Sequence, residues 1–560
     1  MTSLDAIQQE LKELQANKDR WAVTGIDERI AILDEIKRDL ISVSQSWVTL
    51  CMEAKGILTH THGEGEEWGT LGDIYNLLGS LRQSLIDIKK YGRPQIAGPV
   101  VVLPNGQVSA RVFPRTKIEA MLYASLSQEV WMEPGVTIEE MLQSQAQPLT
   151  NKNSRGTVNL VLGAGNASSL PVNDSLCKLF VENRVVILKL NPVNAYLGPL
   201  IEKGFSSLID RGFFRVVYGG IAEGNYLCNH PAVDEIHLTG SDKTFESIVF
   251  GSGSEGARRK AQKNPLISKP VTGELGNITP VIIVPGPWSE NDIRKQAEKV
   301  TTWLTYNAGC NCLTPRVLVQ HKNWTQRETL IKSISDVMTN LETRKAYYPG
   351  AKERHAAFVA AHPEARQYGS TIQGYLPWTL IANVDPKNTS DICFNTEAFC
   401  SLFAETAIEA ESTTEFIDRA VDLVNGTLWG TLTASIIIHP KSLLDSNVAA
   451  SLERALMNLR YGTICINESG SIAYNLGLTP WGGFPGHDIY NVQSSIGVTN
   501  NALMFSNTQK AVVRGPFIKM PDPNMVTFKH YSELEKKFTY YLASPSIWRI
   551  PGIVWTSLRG

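Results

Sequence analysis

Residues 279–320 contain two short apolar runs, TPVIIVPG at 279–286 and TPRVLVQ at 314–320, with KQAEKVTTWLTY at 295–306 between them. Both runs have the length and the β-branched content of buried strands, and the segment between them is long enough to be a helix. The order strand, helix, strand is that of a βαβ unit, whose two strands lie parallel in one sheet. This stretch therefore predicts an α/β fold.

The same order of elements occurs earlier in the chain. Four apolar runs follow one another from about residue 100, each before a turn signal and a helix-like stretch: PVVVLP at 99–104, TVNLVLG at 157–163, RVVILKL at 184–190 and FRVVYGG at 214–220. The series that contains residues 279–320 starts after the turn at Gly273. Two such series predict two α/β domains, with the cleft between them as the default location of a functional site.

The two ends of the chain have a different character. Residues 1–92 carry apolar side chains at three- and four-residue spacings, which predicts a layer of helices. From about Lys519 the chain is rich in aromatic residues and belongs to neither series. This tail could touch a membrane surface, but without a clear charged face we expect it to cover a subunit interface.

The composition excludes several classes of protein. At 560 residues the chain is long enough for two or three folding units, and its net charge of -2 gives no broad attraction to nucleic acid or anionic membranes. It lacks the order of a secretory signal, any stretch of about 20 apolar residues, and a disulfide framework among its eight cysteines. We therefore expect a soluble, cytoplasmic protein that acts on a small neutral or acidic molecule.

A candidate nucleophile and a candidate base follow from local sequence. Cys312 lies in a turn of small residues within YNAGCNCLTPRVLV at 306–319, where nearby backbone N–H groups could favour its thiolate. Glu274 stands between glycines in VTGELGN at 271–277 and could activate water. Taken singly, each has an ordinary interpretation, as a buried small hydrophobe and as a turn-capping glutamate.

Together the two segments carry a family resemblance. ELGN at 274–277, followed 38 positions after Glu274 by Cys312 in NAGCNC, resembles the Glu-Leu-Gly-Gly and Gly-Gln-x-Cys blocks of the aldehyde dehydrogenase superfamily. The resemblance implies two Rossmann-like parallel-sheet domains, a helical N-terminal layer and a small oligomerisation element. It implies that residues 1–273 form the N-terminal helices and an NAD(P)-binding domain, and that residues 274–480 form a catalytic domain. In residues 481–560 the chain would return to the cofactor-binding domain and add the oligomerisation element and a C-terminal extension.

The resemblance also implies a reaction and its residues. Cys312 would attack an aldehyde, Asn166 would donate to the oxyanion, and Glu274 would activate the water that hydrolyses the thioester, with NAD or NADP as the hydride acceptor. Lys189 would contact the adenosine ribose, and Glu397 the nicotinamide ribose. The other cofactor-binding residues that it implies are Gly224, Thr239, Gly240, Ser241 and Phe399.

Several positions depart from the family pattern and indicate an atypical branch. Gly165 replaces a tryptophan, and Phe245 replaces a glycine. Pro192 stands where a glutamate of many NAD-preferring members would hold the ribose, so the choice between NAD and NADP stays open. The glycines of 163–165 could instead open a dinucleotide-binding turn, but Ser168 occupies the place of its third glycine.

Alternatives remain at the level of function and assembly. A CoA-acylating aldehyde dehydrogenase or acyl-CoA reductase would use CoA in place of water, which a base such as Glu274 disfavours, and a non-catalytic nucleotide-binding or interaction protein would need no thiol. Cys310 and Cys312 could form half of a zinc site, but no second close pair exists and six residues separate Cys393 from Cys400, so we predict no metal. We expect a homodimer or homotetramer without a nucleic-acid partner, because subunits of the family commonly extend a sheet between them.

Overall fold

The computed structural model of the protein describes residues 1–151, 154–370 and 372–559. Its strands form one eleven-stranded sheet, one six-stranded sheet and one two-stranded sheet. The described strands are β1 (Val100–Val102), β2 (Val108–Phe113), β3 (Ser127–Met132), β4 (Val158–Leu162), β5 (Val185–Leu190), β6 (Phe214–Tyr218), β7 (Glu235–Thr239), β8 (Val271–Glu274), β9 (Thr279–Ile283), β10 (Pro315–His321), β11 (Arg344–Lys345), β12 (Arg366–Tyr368), β13 (Tyr375–Leu376), β14 (Trp378–Val384), β15 (Leu402–Ile408), β16 (Thr433–Ile437), β17 (Thr463–Ile466), β18 (Ser495–Ile496) and β19 (Thr508–Arg514).

Helices surround these sheets and form a separate N-terminal layer. Four short 3-10 turns complete the described helical structure, at Pro192–Leu197, Tyr306–Gly309, Pro440–Leu444 and Ile547–Arg549. The described α-helices are α1 (Leu4–Ala22), α2 (Ile26–Lys55), α3 (His62–Tyr91), α4 (Lys117–Leu122), α5 (Ile138–Ser144), α6 (Gln147–Thr150), α7 (Leu170–Phe180), α8 (Gly198–Gly204), α9 (Ser206–Asp210), α10 (Ile221–Asn229), α11 (Asp242–Phe250), α12 (Gly253–Ala261), α13 (Glu290–Thr305), α14 (Arg327–Thr339), α15 (Ala351–Ala361), α16 (Ile392–Asn395), α17 (Thr413–Thr427), α18 (Ser446–Asn458), α19 (Ser471–Leu476), α20 (Tyr531–Ala543) and α21 (Ile550–Ser557).

The six-stranded sheet has the order β18-β8-β7-β4-β5-β6. Strands β4 to β8 run parallel, and β18 pairs with β8 in the antiparallel direction. Every residue of β4 and β5 is buried, which explains why both appear in the sequence as unbroken apolar runs. The parallel strands direct their carboxyl ends to one edge, where Thr239 ends β7 and Glu274 ends β8.

The eleven-stranded sheet has a parallel centre with the order β17-β16-β9-β10-β15-β14. The predicted unit of 279–320 forms β9, α13 and β10, and the two strands pair directly. All residues of β9 and β10 are buried. The predicted α/β class, with parallel sheets and a helical N-terminal layer, is confirmed.

One prediction about the larger sheet needs correction. The run at 99–104 does contain a strand, β1. However, β1 pairs with β2, β2 with β3 and β3 with β19. Residues 100–132 therefore belong to the eleven-stranded sheet and not to the six-stranded sheet that the other runs of the first series form. Strand β19 then pairs in parallel with β17 of the same chain. Pairing of strands so distant in sequence is not encoded in any local pattern, which is why the runs alone misplaced this segment. The three domain boundaries stay predictions.

The N-terminal layer and the aromatic tail pack against each other. Helix α20 lies along α3, where the Thr539 hydroxyl donates to the Trp68 carbonyl at 2.8 Å and the Tyr531 ring stacks on His62 at 4.0 Å. A Cβ on Gly65 would lie 2.4 Å from the Tyr531 ring, so this approach requires glycine. The tail, which we expected at a subunit interface, therefore covers a helix of its own chain over 531–543. Among the described residues, no helix has the length and apolar character needed to cross a bilayer.

Candidate active site

The candidate site joins the two large sheets. Glu274 ends β8 in the six-stranded sheet, and Cys312 lies in the turn just before β10 in the eleven-stranded sheet. The Cys312 thiol and the Glu274 carboxylate lie close enough for each to shift the pKa of the other. The structure thus brings the predicted nucleophile and base together, although they belong to different sheets.

Both groups of this pair hold their protons more tightly than usual. Burial raises the pKa of Glu274 to about 8, although the neighbouring Cys312 thiol opposes the shift. Burial, followed by the charges of Glu274 and Glu397, raises the pKa of the Cys312 thiol well above its ordinary value. The Cys312 backbone N–H lowers the pKa of the thiol and so favours the thiolate, but burial and the two carboxylates outweigh this contribution. The thiol is protonated at neutral pH.

Two buried side chains beside Glu274 were not singled out by the sequence as site residues. The Trp481 Nε1–H donates to Glu274 Oε1 at 3.3 Å, which lowers the pKa of that carboxyl. Asp174 in α7 accepts from the Thr239 hydroxyl at 2.7 Å and from the Thr499 hydroxyl at 3.1 Å, and its charge raises the pKa of Glu274. Trp481 belongs to a block that resembles the family without a role of its own, whereas Asp174 lies in a fully buried helix that carries no motif.

The turn before Cys312 has an unusual backbone. Asn307, Ala308 and Gly309 follow one another with φ values of 52°, 56° and 72°, in the left-handed region. A Cβ on Gly309 would lie 2.4 Å from the Cys400 carbonyl oxygen, so only glycine fits there. Two consecutive residues other than glycine in this region are costly and must be held by their surroundings.

The Asn307 side chain supplies that support. Its Nδ2 donates to the Asn166 carbonyl and to Asn311 Oδ1, both at 2.9 Å, and its Oδ1 accepts from Lys55 Nζ at 3.0 Å and from the Tyr347 hydroxyl at 2.9 Å. Through this one amide, the loop of Asn166, the N-terminal helical layer and the nucleophile turn are connected. Local sequence gave no reason to separate Asn307 from its neighbours.

The helical layer therefore contributes charged residues to the site. Lys55 of α2 pairs with Glu67 of α3 at 2.7 Å, with both side chains buried. Glu66 of α3 accepts from the Asn307 N–H and from Arg344, each at 3.1 Å. Burial favours a raised pKa for Glu66, but Arg344 and the hydrogen bond from His62 outweigh it and lower the pKa to about 2. The sequence analysis predicted this layer as helices and assigned none of its residues to the site.

Asn166, the predicted oxyanion donor, lies against the same turn. It is buried in the loop after β4, and its Nδ2 donates to the Cys310 carbonyl at 3.0 Å. A side-chain amide carries two N–H groups, so one remains to donate to a bound molecule. Cys310 itself is buried, with its Sγ 3.6 Å from the Phe399 carbonyl oxygen, which leaves Cys312 as the cysteine open to the site.

Glu397 approaches the thiol from the segment after α16. Its Oε1 accepts from the Asn277 N–H at 3.1 Å, and a Cβ on Gly276 would lie 2.2 Å from its Oε2, so the Gly276 position must lack a side chain. Burial raises the pKa of Glu397 to about 7, against the opposing charge of Arg316. Phe399, also predicted to bind cofactor, has a φ of 43° and packs on Tyr348 at 4.9 Å.

The remaining predicted cofactor residues lie at the carboxyl ends of the six-stranded sheet. Two of them already make hydrogen bonds within the protein. The Thr239 hydroxyl donates to Asp174, and the Gly240 N–H donates to the Glu274 carbonyl at 3.0 Å. Ser241 caps α11 by accepting from the Thr244 N–H at 3.1 Å, which leaves the first N–H groups of that helix to face an anion.

Lys189 and Gly224 offer a second set of contacts nearby. Burial lowers the pKa of Lys189, and Glu223 opposes that shift. A Cβ on Gly224 would meet open space. A buried amine beside an open helix surface and the start of α11 fits a phosphorylated cofactor.

The fold has two sheets with parallel strands, and a cysteine thiol and a glutamate carboxylate meet between them. Such a site defines a class of α/β proteins that can form a covalent acyl intermediate on a cysteine sulfur. The sequence profile described as the aldehyde dehydrogenase family matches residues 138–497. The chain therefore belongs to the aldehyde dehydrogenase family, as the resemblance implied.

Individual relatives are distant. The human 4-trimethylaminobutyraldehyde dehydrogenase is 26% identical over 320 residues, which cover 52% of this chain and 56% of the relative, and the rat protein is 28% identical over 313 residues with the same coverage. The chain thus spans about half the length of the curated relatives it matches. Among solved structures, the Mycobacterium tuberculosis aldehyde dehydrogenase complexed with NAD+ superimposes with a TM-score of 0.60 at 18% identity, over 93% of this chain and 92% of that one. The NAD-dependent aldehyde dehydrogenase of Sinorhizobium meliloti gives 0.59 at 16% identity, over 93% and 88%.

Proposed function

We propose that this protein oxidises an aldehyde to a carboxylic acid with NAD or NADP, through a thioester on Cys312. The observation that carries the proposal is the position of the partly exposed Cys312 thiol beside the buried Glu274 carboxylate, where each group shifts the pKa of the other. The reaction needs a sulfur nucleophile and a group that moves protons beside it, and this pair supplies both.

The first step forms the bond between sulfur and the aldehyde carbon. Because the thiol is protonated at neutral pH, ionised Glu274 takes its proton as the sulfur attacks, and the carbonyl electron pair moves to oxygen. The second N–H of Asn166 and the Cys312 backbone N–H donate to that oxyanion, which is the largest stabilisation expected in such a step. The result is a thiohemiacetal on Cys312.

The second step is the oxidation. When bound, NAD(P) supplies the hydride acceptor for the thiohemiacetal carbon. Lys189 and the start of α11 at Ser241 would hold its phosphorylated half, and Glu397 would hold the nicotinamide ribose. As hydride leaves the carbon, the oxyanion electron pair re-forms the carbonyl, and a thioester remains on Cys312.

Hydrolysis completes the cycle. Glu274, once its proton has passed to solvent, takes a proton from water as the water oxygen attacks the thioester carbon. The C–S bond then breaks, the sulfur regains a proton, and the carboxylic acid leaves. A carboxyl group with a pKa of about 8 suits this role, because it is a strong base when ionised and still exchanges protons near neutral pH.

The relatives support the breadth of this proposal. Most of the curated relatives act, by name, on 4-trimethylaminobutyraldehyde, and two of the solved relatives are complexed with NAD+ or NADP. A small-molecule aldehyde and either coenzyme are therefore the substrates to test. The cytoplasmic location and the homodimer or homotetramer belong to the same proposal.

A panel of aldehydes tested with both coenzymes, followed by NAD(P)H absorbance, tests the reaction. We expect reduction of one coenzyme, a carboxylic acid as the product, and loss of the signal in Cys312→Ala. Cys465→Ala is the matched control, because Cys465 is fully buried in β17 and the charge that acts on its thiol is that of Glu468, not Glu274. Activity that persists in Cys312→Ala would refute the nucleophile, and acyl-CoA formation upon addition of CoA would replace hydrolysis with acyl transfer.

A further inference from the structure

A second cluster of reactive side chains lies apart from the Cys312 thiol. His362 follows α15, Asp391 caps the start of α16, and Cys393 lies within α16. His362 Nε2 is 3.1 Å from Asp391 Oδ1 and 3.6 Å from Cys393 Sγ. One donor atom from each residue lies within 4.8 Å of the others, close enough to share a single ion.

A further carboxylate orients the His362 imidazole through its second ring nitrogen. Its other nitrogen, Nδ1, lies 3.0 Å from Glu364 Oε1. A histidine that binds a metal through Nε2 usually donates its Nδ1–H to a carboxylate, which fixes the tautomer and the ring direction. The cluster therefore has both the inner donors and the outer carboxylate of a metal site.

We propose that His362 Nε2, Asp391 Oδ1 and Cys393 Sγ bind one zinc ion, with water at the fourth position. Nitrogen, carboxylate oxygen and sulfur donors together favour zinc, whereas magnesium and calcium take oxygen ligands. On binding, the Cys393 thiol releases its proton to solvent, so that a thiolate and a carboxylate balance the two charges of the ion.

The rival interpretation is a hydrogen-bonded cluster in which His362 and Cys393 both donate to Asp391. The metal titration distinguishes the two, because only a bound ion produces a metal–thiolate band. The Cys393 side chain is buried, whereas the side chains of His362 and Asp391 are 12% and 10% exposed, so an ion can enter from the side of these two. Cysteine spacing does not reveal the site, because two of its three ligands are not cysteines.

The position of the cluster gives zinc a structural consequence. Helix α15 already holds the segment after α16 through Arg354, which donates to the Ala398 carbonyl at 2.9 Å and to the Phe399 carbonyl at 3.2 Å. An ion on His362 would fix the other end of the same segment at Asp391. Zinc should therefore slow amide exchange over residues 391–399, which include Glu397, whatever the protein's activity.

Metal titration of the full chain tests the proposal. Metal-free protein is titrated with Co2+, a spectroscopic substitute for Zn2+, and Zn2+ is then measured by competition and elemental analysis. We expect one ion per chain, a cobalt–thiolate absorption band, and loss of that band in Cys393→Ser. Glu364→Gln should weaken binding by about 10- to 100-fold, as expected for the carboxylate behind a metal-bound histidine.

Controls assign the signal to this cluster. Cys228→Ser, a buried cysteine on α10, should leave the band unchanged. Asp391→Asn keeps the size of the side chain and should weaken binding even if Cys393→Ser folds poorly. The proposal is overturned if the folded protein binds less than one ion with no thiolate band, or if Cys312→Ala removes the band and Cys393→Ser does not.

Discussion

Two buried glutamates touch the turn that carries Cys312, and they titrate in opposite directions. Glu274 meets the thiol from the six-stranded sheet with no cation in hydrogen-bond contact, and burial raises its pKa to about 8. Glu66 meets the Asn307 N–H from the helical layer, and Arg344 and His62 overcome burial to lower its pKa to about 2. Two glutamates that are both buried thus have pKa values shifted in opposite directions, and the presence or absence of a cationic partner determines the direction of the shift.

The difference separates two tasks around one turn. A carboxylate that takes up and releases a proton near neutral pH can act in chemistry, whereas one that stays charged can only hold a structure in place. Glu274 therefore belongs to the reaction, and Glu66 to the support of the left-handed turn at Asn307. This contrast fails if removing either charge damages activity and stability alike.

Replacing Glu274 should produce the largest effect on catalysis. We expect Glu274→Gln to lower kcat by about 10²- to 10⁴-fold, since that is the usual contribution of general base catalysis. The free energy of unfolding should stay the same or rise, because a buried ionisable group with no cation partner is removed. Steady-state rates and thermal melts measure the two quantities.

Glu535→Gln is the control for this change. Glu535, on α20, is partly buried, and desolvation raises its pKa to about 7, but Cys312 is not among the groups that act on it. Its replacement should leave kcat within about twofold, in the range expected of a residue outside the reaction. Equal losses in the two variants would mean that the buried charge matters only for folding.

The fold was predictable from the sequence where a buried strand appears as an unbroken run of mostly apolar residues. Strands β4, β5, β6 and β9 lie within the predicted runs, and β10 ends one residue beyond its run, because a parallel strand covered on both faces is largely apolar. It misplaced residues 100–132, since the pairing of β3 with β19 joins segments almost 400 residues apart, and no local pattern specifies such a partner.

The site was predictable only where a residue stands in a recognisable block. Glu274, Cys312 and Asn166 do, and the structure brings them to one turn. Asp174 and Lys55 do not, because their importance comes from what they face across a helix boundary. A polar residue in an amphipathic helix has the same appearance in sequence whether it meets water or a buried turn.

Replacing Glu66 should affect stability most. Glu66→Gln removes the charge that pairs with Arg344 and weakens the acceptor of the Asn307 N–H, which should lower the free energy of unfolding by about 3 kcal/mol. Because the folded pKa lies below 4.5, this stability is present at neutral pH and is lost as pH falls from about 4.5 through about 2. Denaturant titration at pH 7 checks the loss, and exposed Glu53→Gln on α2 should change stability by less than about 0.5 kcal/mol.

Substitutions of Asn307 distinguish the contribution of its side-chain hydrogen bonds from that of backbone strain in the turn. Asn307→Ala and Asn307→Gly both remove the side-chain amide that donates to the Asn166 carbonyl, but only glycine adopts the φ of 52° without cost. We expect kcat to fall about 10-fold in both, as displacement of the oxyanion donor requires, with little change in KM for coenzyme. A loss confined to alanine would instead assign the role of Asn307 to backbone strain.

Trp481 should give the smallest change and the most direct view of Glu274. The reaction needs ionised Glu274, so kcat/KM should rise with pH through an apparent pKa of about 8 that belongs to the coupled thiol–carboxylate pair. Because the Trp481 N–H stabilises the charged carboxylate, Trp481→Phe should move this midpoint to higher pH by less than about one unit and leave the plateau rate in place. Trp131→Phe removes a similar bond, from a buried tryptophan to Glu129 at 3.2 Å, and should not move the midpoint. A midpoint that stays fixed in Trp481→Phe would mean that a group other than Glu274 limits the rate.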